Sequence, residues 1–310
     1  MELRQLRYFL GVSQAGSLMK ASHILHIAQP ALSLHMAALE AELGAVLFMR
    51  SSRGMSLTES GRTLVEYARV VMADVERAKS AVQNVTTELS GEVVIGLPTT
   101  VALVATLPII EASRLRHPKI FLRLVESHSG YLKEWLQAGR LDLSVLFASA
   151  QESWLSQTPL LKEKLCVVGP PRKGNRGMAT STELKKIADL PMMLPGKDHG
   201  LRRILDEACA QQNVKLNVLV EIDSLPNIKK AVSAGLAYTV LSPGAVAEEV
   251  AAGKLEQSTL VRPNISRTIV CATSLIRPLT PAASAMVELI NETLRELVRS
   301  GRWPGTLEKV

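Results

Sequence analysis

His23 and His26 stand three residues apart on a helical pattern, a spacing that can place two metal ligands on one face, but no Cys or carboxylate stands close by in sequence. A structural role is expected for them, and no metal. Cys166, Cys209 and Cys271 are odd in number, widely separated and without CxxC spacing, so they predict buried thiols rather than a disulfide framework or a zinc site. No GxSxG elbow, no GxxxxGK phosphate loop, no GxGxxG after a strand and no HExxH pair occurs, and no acid–base constellation stands out. The expectation is therefore a chain with no catalytic residues and no cofactor. What remains is recognition chemistry. Gln29, Pro30, Ser33, Leu34 and His35 open a short helix with small or hydrogen-bonding side chains, the types that meet base edges and thymine methyls in a major groove.

The elements that position them can be read from periodicity. Leu32, Met36, Leu39 and Leu43 recur at spacings of four, three and four, which makes one apolar stripe on a helix. Pro30, Leu34, Ala37 and Ala41 then point the other way, with Ser33 at the edge and Gln29 at the helix mouth. A face meant only for water normally carries Lys and Glu, whereas this one is nearly uncharged and narrow enough to enter a major groove. Pro30 suits the first turn, where its missing N–H costs nothing. Ahead of it, Leu18, Ala21 and Leu25 give a second helix a thin core face, with a tight break at His26 to Ala28. Leu3, Leu6, Phe9 and Leu10 form the stripe of a first helix that ends near Gly16, and Ser17 caps the next. The three together read as a helix-turn-helix. Phe48 and Leu57 bracket MRSSRGMS, read as a wing: a β-hairpin with Gly54 at its turn and Arg50 and Arg53 placed for phosphates, contacts that position without specifying sequence. A solvated turn is the alternative for these arginines.

Thr58 caps a long helix with Glu59 in its first turn. Along it Leu64, Ala68, Val71, Val75, Ala78, Val82, Val85 and Leu89 alternate spacings of four and three, a repeat averaging about 3.5 that keeps one seam toward a partner. The expectation is a coiled-coil dimer helix, with a helix lying on its own domain as the alternative. From Gly91 the pattern changes to short β-branched runs, EVVIGLP, IFLRLVES and LDLSVLFA, between helical stretches at 101–115 and 131–138. A second set, LCVVG, MMLP, LNVLVEI and YTVLS, alternates with helices at 200–211, 227–234 and 245–251, before a strand TIVCAT and a last helix at 281–298. This reads as α/β, with βαβ units on a parallel sheet.

Composition adds bounds. With 47% hydrophobic and 21% charged residues the 310-residue chain is ordinary for a globular protein of two or three domains. No run reaches the roughly 18 apolar residues of a spanning helix, and MELRQLRYFL is not a secretory leader, so a cytoplasmic protein with no membrane partner is expected. The net charge of +7 supports nucleic-acid binding only weakly: residues 1–90 hold nine Lys or Arg against eight Asp or Glu, so the excess lies outside the helix-turn-helix.

QPALS, then LEAELG, LFMR and RGMSLTESG, resemble the N-terminal domain of LysR-type transcriptional regulators. Length and segment order resemble that family throughout, and HIAQPALS with LRLVESHSG resembles its nitrogen assimilation control subgroup. Two positions depart from the pattern: Ala28 stands where the family often has Ser, removing a side-chain cap worth about 1 kcal/mol, and Leu34 where relatives often carry a polar or basic residue. The resemblance implies a winged helix-turn-helix over residues 1–58, a dimerisation helix over 59–89 and a periplasmic-binding-protein-like effector domain over 90–310. Its first lobe covers about 90–161 and 268–300 and its second about 162–267. In such a domain small molecules bind between the lobes, at strand ends where helix N-termini present free N–H groups. Thr99, Thr100, Ser127, Ser129 and Ala148 from the first lobe and Gly196 and Lys197 from the second are the matching places, suited to a small anion that Lys197 could neutralise. The same residues serve as helix caps, and both readings stand. The function implied is sequence-specific binding of double-stranded DNA by a homodimer or homotetramer, on pseudo-palindromic operators, with RNA polymerase and a small-molecule effector as further partners. An α/β enzyme and a stand-alone small-molecule binder are the competing classes.

Overall fold

A computed structural model describes residues 1–51, 54–83, 89–171, 177–197 and 199–308. They form two compact units, one built on residues 1–86 and the other on 87–137 and 141–310.

The first unit packs α1 (Leu3–Ala15), α2 (Leu18–Leu25) and α3 (Gln29–Leu43) around Leu6, Phe9, Val12, Ala21, Leu32, Met36 and Leu39. Each of these side chains, fully buried, stabilises the fold by roughly 1.5–3 kcal/mol if it is as large as leucine. Gly16 and Gly44 end α1 and α3 in the left-handed region, at φ 62 in both cases. His26 does the same for α2 at φ 51, so its structural role is to turn the chain. Ser17 accepts the Lys20 N–H as the cap of α2, while Ala28 gives α3 no side-chain cap. Leu3 and Leu43 depart from the expected stripes, being 45% and 41% exposed: each lies at the far end of its helix, beyond the reach of the core.

β1 (Phe48–Ser51) and β2 (Gly54–Leu57) pair antiparallel with Phe48 opposite Leu57 and Arg50 opposite Met55. Gly54 begins β2 opposite Ser51 rather than forming the turn. A Cβ on it would lie 2.7 Å from the Gly16 carbonyl oxygen, which accepts the Met55 N–H at 2.8 Å. Arg53 lies outside the described residues, as does Val85. Glu40 accepts the N–H groups of Leu47 and Phe48 with one carboxylate oxygen, tying α3 to the start of the hairpin. Thr58 then accepts the Gly61 N–H and donates to the Val46 carbonyl, starting α4 (Glu59–Gln83). Val65 and Ala68 enter the core of this unit with Leu64 and Met72 beside them, whereas Val71, Ala78 and Val82 are exposed and Val75 half-buried. The seam thus serves its own domain for its first turns and lies uncovered beyond them.

In the second unit β3 (Gly91–Pro98), α5 (Thr99–Arg116), β4 (Ile120–Ser127), α6 (Ser129–Gln137) and β5 (Leu143–Phe147) form a parallel unit, with β3 between β4 and β5. β6 (Leu155–Lys164) leads to a second lobe of β7 (Cys166–Gly169), β8 (Ser181–Glu183), β9 (Met192–Leu194), α7 (Gly200–Gln211), β10 (Val218–Glu221), α8 (Leu225–Ser233), β11 (Thr239–Leu241), α9 (Ala247–Ala251) and β12 (Glu256–Val261). β13 (Ser266–Ser274) returns to the first sheet, followed by α10 (Pro281–Arg299) and β14 (Thr306–Leu307), giving the order β14-β6-β13-β5-β3-β4. The expected parallel sheet is thus mixed: β13 runs antiparallel to both β5 and β6, because strands that cross between lobes enter from the opposite end. Both lobes have buried cores, one under α5 and α10, the other around Leu194, Leu201, Leu205 and Val240.

Candidate nucleic-acid interface and effector cleft

α3 divides its two faces sharply in its first three turns. Leu32 and Leu39 are fully buried and Met36 nearly so, while Gln29, Pro30, Ala37, Ala38 and Ala41 are exposed and Leu34 is 72% exposed. Ser33 is half-buried at the edge. His35 is half-buried too, its ring 5.1 Å from that of Tyr8, so it packs on α1 as much as it faces outward. No Asp, Glu, Lys or Arg stands on the helix before Glu40. Helix α3 therefore presents an amide at its mouth, then a small apolar ridge, on a scaffold fixed by the buried stripe behind it. Such a ridge can approach base edges closely because nothing long or charged holds it off.

The second unit carries a cleft between its lobes. Four helix starts meet there: Thr99 and Thr100 of α5, Ser127 to Ser129 before and at the start of α6, His199 and Leu201 of α7, and Asp223 and Leu225 at α8. The dipole ends of these helices favour a negative charge. His199 caps α7 by accepting the Leu201 N–H at Nδ1, 3.2 Å away, which leaves its Nε2 as the N–H donor. Its ring meets that of His128 edge-on at 5.1 Å. Burial first, then His128, Arg267 and Arg203, push the His199 imidazole down to about 4, against an opposing pull from Asp223.

Beneath the cleft floor lies a buried ion pair. Arg267 donates from Nε to Glu163 at 2.6 Å, and from Nη2 to the Thr100 hydroxyl at 2.9 Å. Glu163 accepts the Trp303 indole N–H at 2.8 Å with its other oxygen. Both charged side chains are 1% exposed, and the guanidinium carbon sits 3.9 Å over the Phe147 ring, which lines the cleft. With one lone pair of Thr100 filled by an N–H, its hydroxyl is left best suited to donate toward a ligand. Arg267 Nη1 has no partner among the described residues.

Thr99, Thr100, Ser127 and Ser129 thus come together, and Ala148, Gly196 and Lys197 do not join them. Ala148 is exposed, its N–H continuing the sheet to the Thr268 carbonyl; Gly196 spends its N–H on Asp223; Lys197 is exposed in the turn before α7. The cation nearest the floor is Arg267 instead. The reading from sequence missed His199, Asp223, Arg267, Glu163 and Trp303. No local signal marks Glu163 or Arg267: Glu163 stands between Lys162 and Lys164, and Arg267 between Ser266 and Thr268, ahead of the apolar run TIVCAT.

The thiols of Cys166, Cys209 and Cys271 are all buried. Burial is the main cause that raises each, to about 11 for Cys209 and about 12 for Cys271, so none has thiolate character near neutrality.

Residues 3–62 match the lysR family of bacterial regulatory helix-turn-helix proteins, and residues 86–295 match the LysR substrate binding domain. Among known relatives, the nitrogen assimilation regulatory protein nac of Klebsiella aerogenes is 33% identical over 94% of this chain and 94% of its own. Full-length OxyR from Pseudomonas aeruginosa superposes with a TM-score of 0.72 at 24% identity, over 100% of this chain and 99% of that one. Full-length CbnR in complex with its target DNA gives 0.71 at 19% identity, over 94% and 100%.

Proposed function

The chain belongs to the LysR family of DNA-binding transcription regulators, and from that premise we propose that the exposed face of α3 reads operator DNA, paired across a dimer built on α4. The observation that carries the reading is the division of α3 between a fully buried stripe and an uncharged, exposed ridge starting at Gln29 and Pro30. Gln29 meets a base edge and Leu34 a thymine methyl, and Arg50 and Arg53 supply the phosphate contacts. On α4 the uncovered positions Val71, Val75, Ala78 and Val82 meet their copies in a second chain, which sets two α3 helices against the halves of a pseudo-palindromic site. Dimers pair into tetramers, and the complex acts on RNA polymerase at the promoter. No described helix is long and apolar enough to cross a membrane, in keeping with work in the cytoplasm. The cleft of the second unit takes a small anionic effector, held by helix N-termini and the Thr100 hydroxyl.

A gel shift of the full chain on its own upstream region tests the DNA reading. Binding should weaken steeply with salt, and Ser33→Arg or Gln29→Ala should abolish the specific complex while the oligomer persists in sedimentation. If both variants bind as before, α3 is not the reading helix. Replacing Val71 and Val75 together by Glu should give monomers, and a persisting dimer would place the oligomer contact elsewhere.

A further inference from the structure

The facing histidines of the cleft have no part in reading DNA, and their placement suits a regulatory one. We propose that the cleft takes up a proton together with its anion, His128 receiving the proton and His199 serving as the neutral N–H donor opposite it. This rests on the reading of the cleft as the effector site.

His128 belongs to the first lobe, between β4 and α6, and His199 to the second, at the start of α7. Their rings meet across the cleft at 5.1 Å and nearly perpendicular. His199 is bound to stay neutral: its Nδ1 accepts the Leu201 N–H, and a proton there would set two donors against each other and break the cap. Burial and the nearby His128, Arg267 and Arg203 hold the ring well below the ordinary histidine range, against Asp223 among the described residues. His128 meets the rings of His199 and of Tyr131 on α6. With His199 neutral, one positive charge on His128 has no like charge on the ring it faces. Asp223 is the carboxylate among the described residues that line the cleft, and its Oδ1 accepts the Gly196 N–H; a bound anion brings the further negative charge that holds the proton.

Two features ask for such a charge. The N-terminal turns of α5, α6, α7 and α8, each a helix of eight residues or more, converge on the same space. Independently, Arg267 carries a buried Nη1 with no partner among the described residues while its Nη2 grips Thr100 on the cleft wall. An anion seated there adds negative charge beside His128 and favours its protonated form; by linkage, the proton raises the affinity for the anion by the same factor. Because one histidine stands on each lobe, the bound pair of charges also bridges the cleft. The effector would then bind more tightly as pH falls.

Titration calorimetry of the full chain with sodium sulfate and with sodium benzoate, in buffers of different ionisation heat, reads the proton directly. Each anion bound should bring in up to about one proton, and affinity should weaken as pH rises, by at most about ten-fold per pH unit, the slope matching the proton uptake measured at the same pH. Thr100→Val should abolish binding, which locates it in the cleft. His128→Asn should still bind, with no proton uptake and a flat pH profile; His199→Asn should bind more weakly and still take up the proton. Anion binding without proton uptake, uptake unchanged in His128→Asn, or a His128→Asn protein that binds at no pH would each overturn the proton coupling and leave the cleft reading intact. If neither probe binds, or if binding survives Thr100→Val, the cleft reading fails and the coupling with it.

Discussion

Glu163→Gln tests the core of the second unit with the smallest change of shape. The amide oxygen can still accept the Trp303 indole N–H, but the amide NH2 then faces the Arg267 Nε–H, so the charge and the hydrogen bond opposite Arg267 are both lost. Arg267 is 3% exposed and already carries one unpartnered nitrogen, so water cannot replace the carboxylate without opening the lobe. Breaking a buried pair by removing one partner costs about 3–5 kcal/mol. For a unit of this size that is a fall in melting temperature of roughly 6–20 °C. Differential scanning calorimetry of the full chain should show the transition of the second unit moved by this amount and that of the first unit unmoved. The double variant Glu163→Leu with Arg267→Met should recover most of the loss, since a well-packed apolar pair removes the uncompensated charge. It should not recover all, because Trp303 and Thr100 each lose a partner, at about 1 kcal/mol apiece. A shift under about 1 kcal/mol for Glu163→Gln would refute the placement of this pair in a closed interior.

Three further outcomes follow from single sites. His199 titrates at about 4 in the fold against 6.5 when free, so the unfolded chain binds the proton first: the contribution is full above the free value and is lost as pH falls from there toward 4. Urea unfolding of the second unit should lose up to about 3 kcal/mol over that window, and His199→Asn should flatten the decline. Ala28→Ser should supply the missing cap of α3 and raise the stability of the first unit by about 1 kcal/mol, read as a higher urea midpoint at unchanged slope. The buried, raised thiols should be alkylated by iodoacetamide at neutral pH only as fast as the protein opens, and a fast-reacting cysteine would contradict their burial.

The parts of the molecule legible in its sequence are those fixed by local physics. The stripe of α3, the stops at Gly16 and Gly44, the caps at Ser17 and Thr58 and the apolar strands β3 and β4 each follow from spacing or from one residue's backbone preference. What escaped depends on partners distant in the chain. β6 carries Pro159, Lys162, Glu163 and Lys164, a composition with no strand pattern of its own; it is a strand because β13 and β14 pair on either side of it, with a register shift beside the proline. Glu163 and Arg267 are 104 residues apart and Trp303 lies 140 beyond Glu163, so no window shows their contact. On α4 the heptad is continuous in sequence, but the structure gives its first turns to the domain core and leaves the rest uncovered. Periodicity names a seam, not what fills it.

The central claim is that the ridge of α3 lies against base edges. A photo-crosslinking amino acid in place of Leu34, irradiated in the complex of the full chain with its own upstream DNA, tests it most directly. Cross-links should map to bases within two half-sites about one helical turn or a multiple of it apart, and disappear when Gln29→Ala is added. Cross-links only to protein, or to DNA at unrelated positions, would contradict the account.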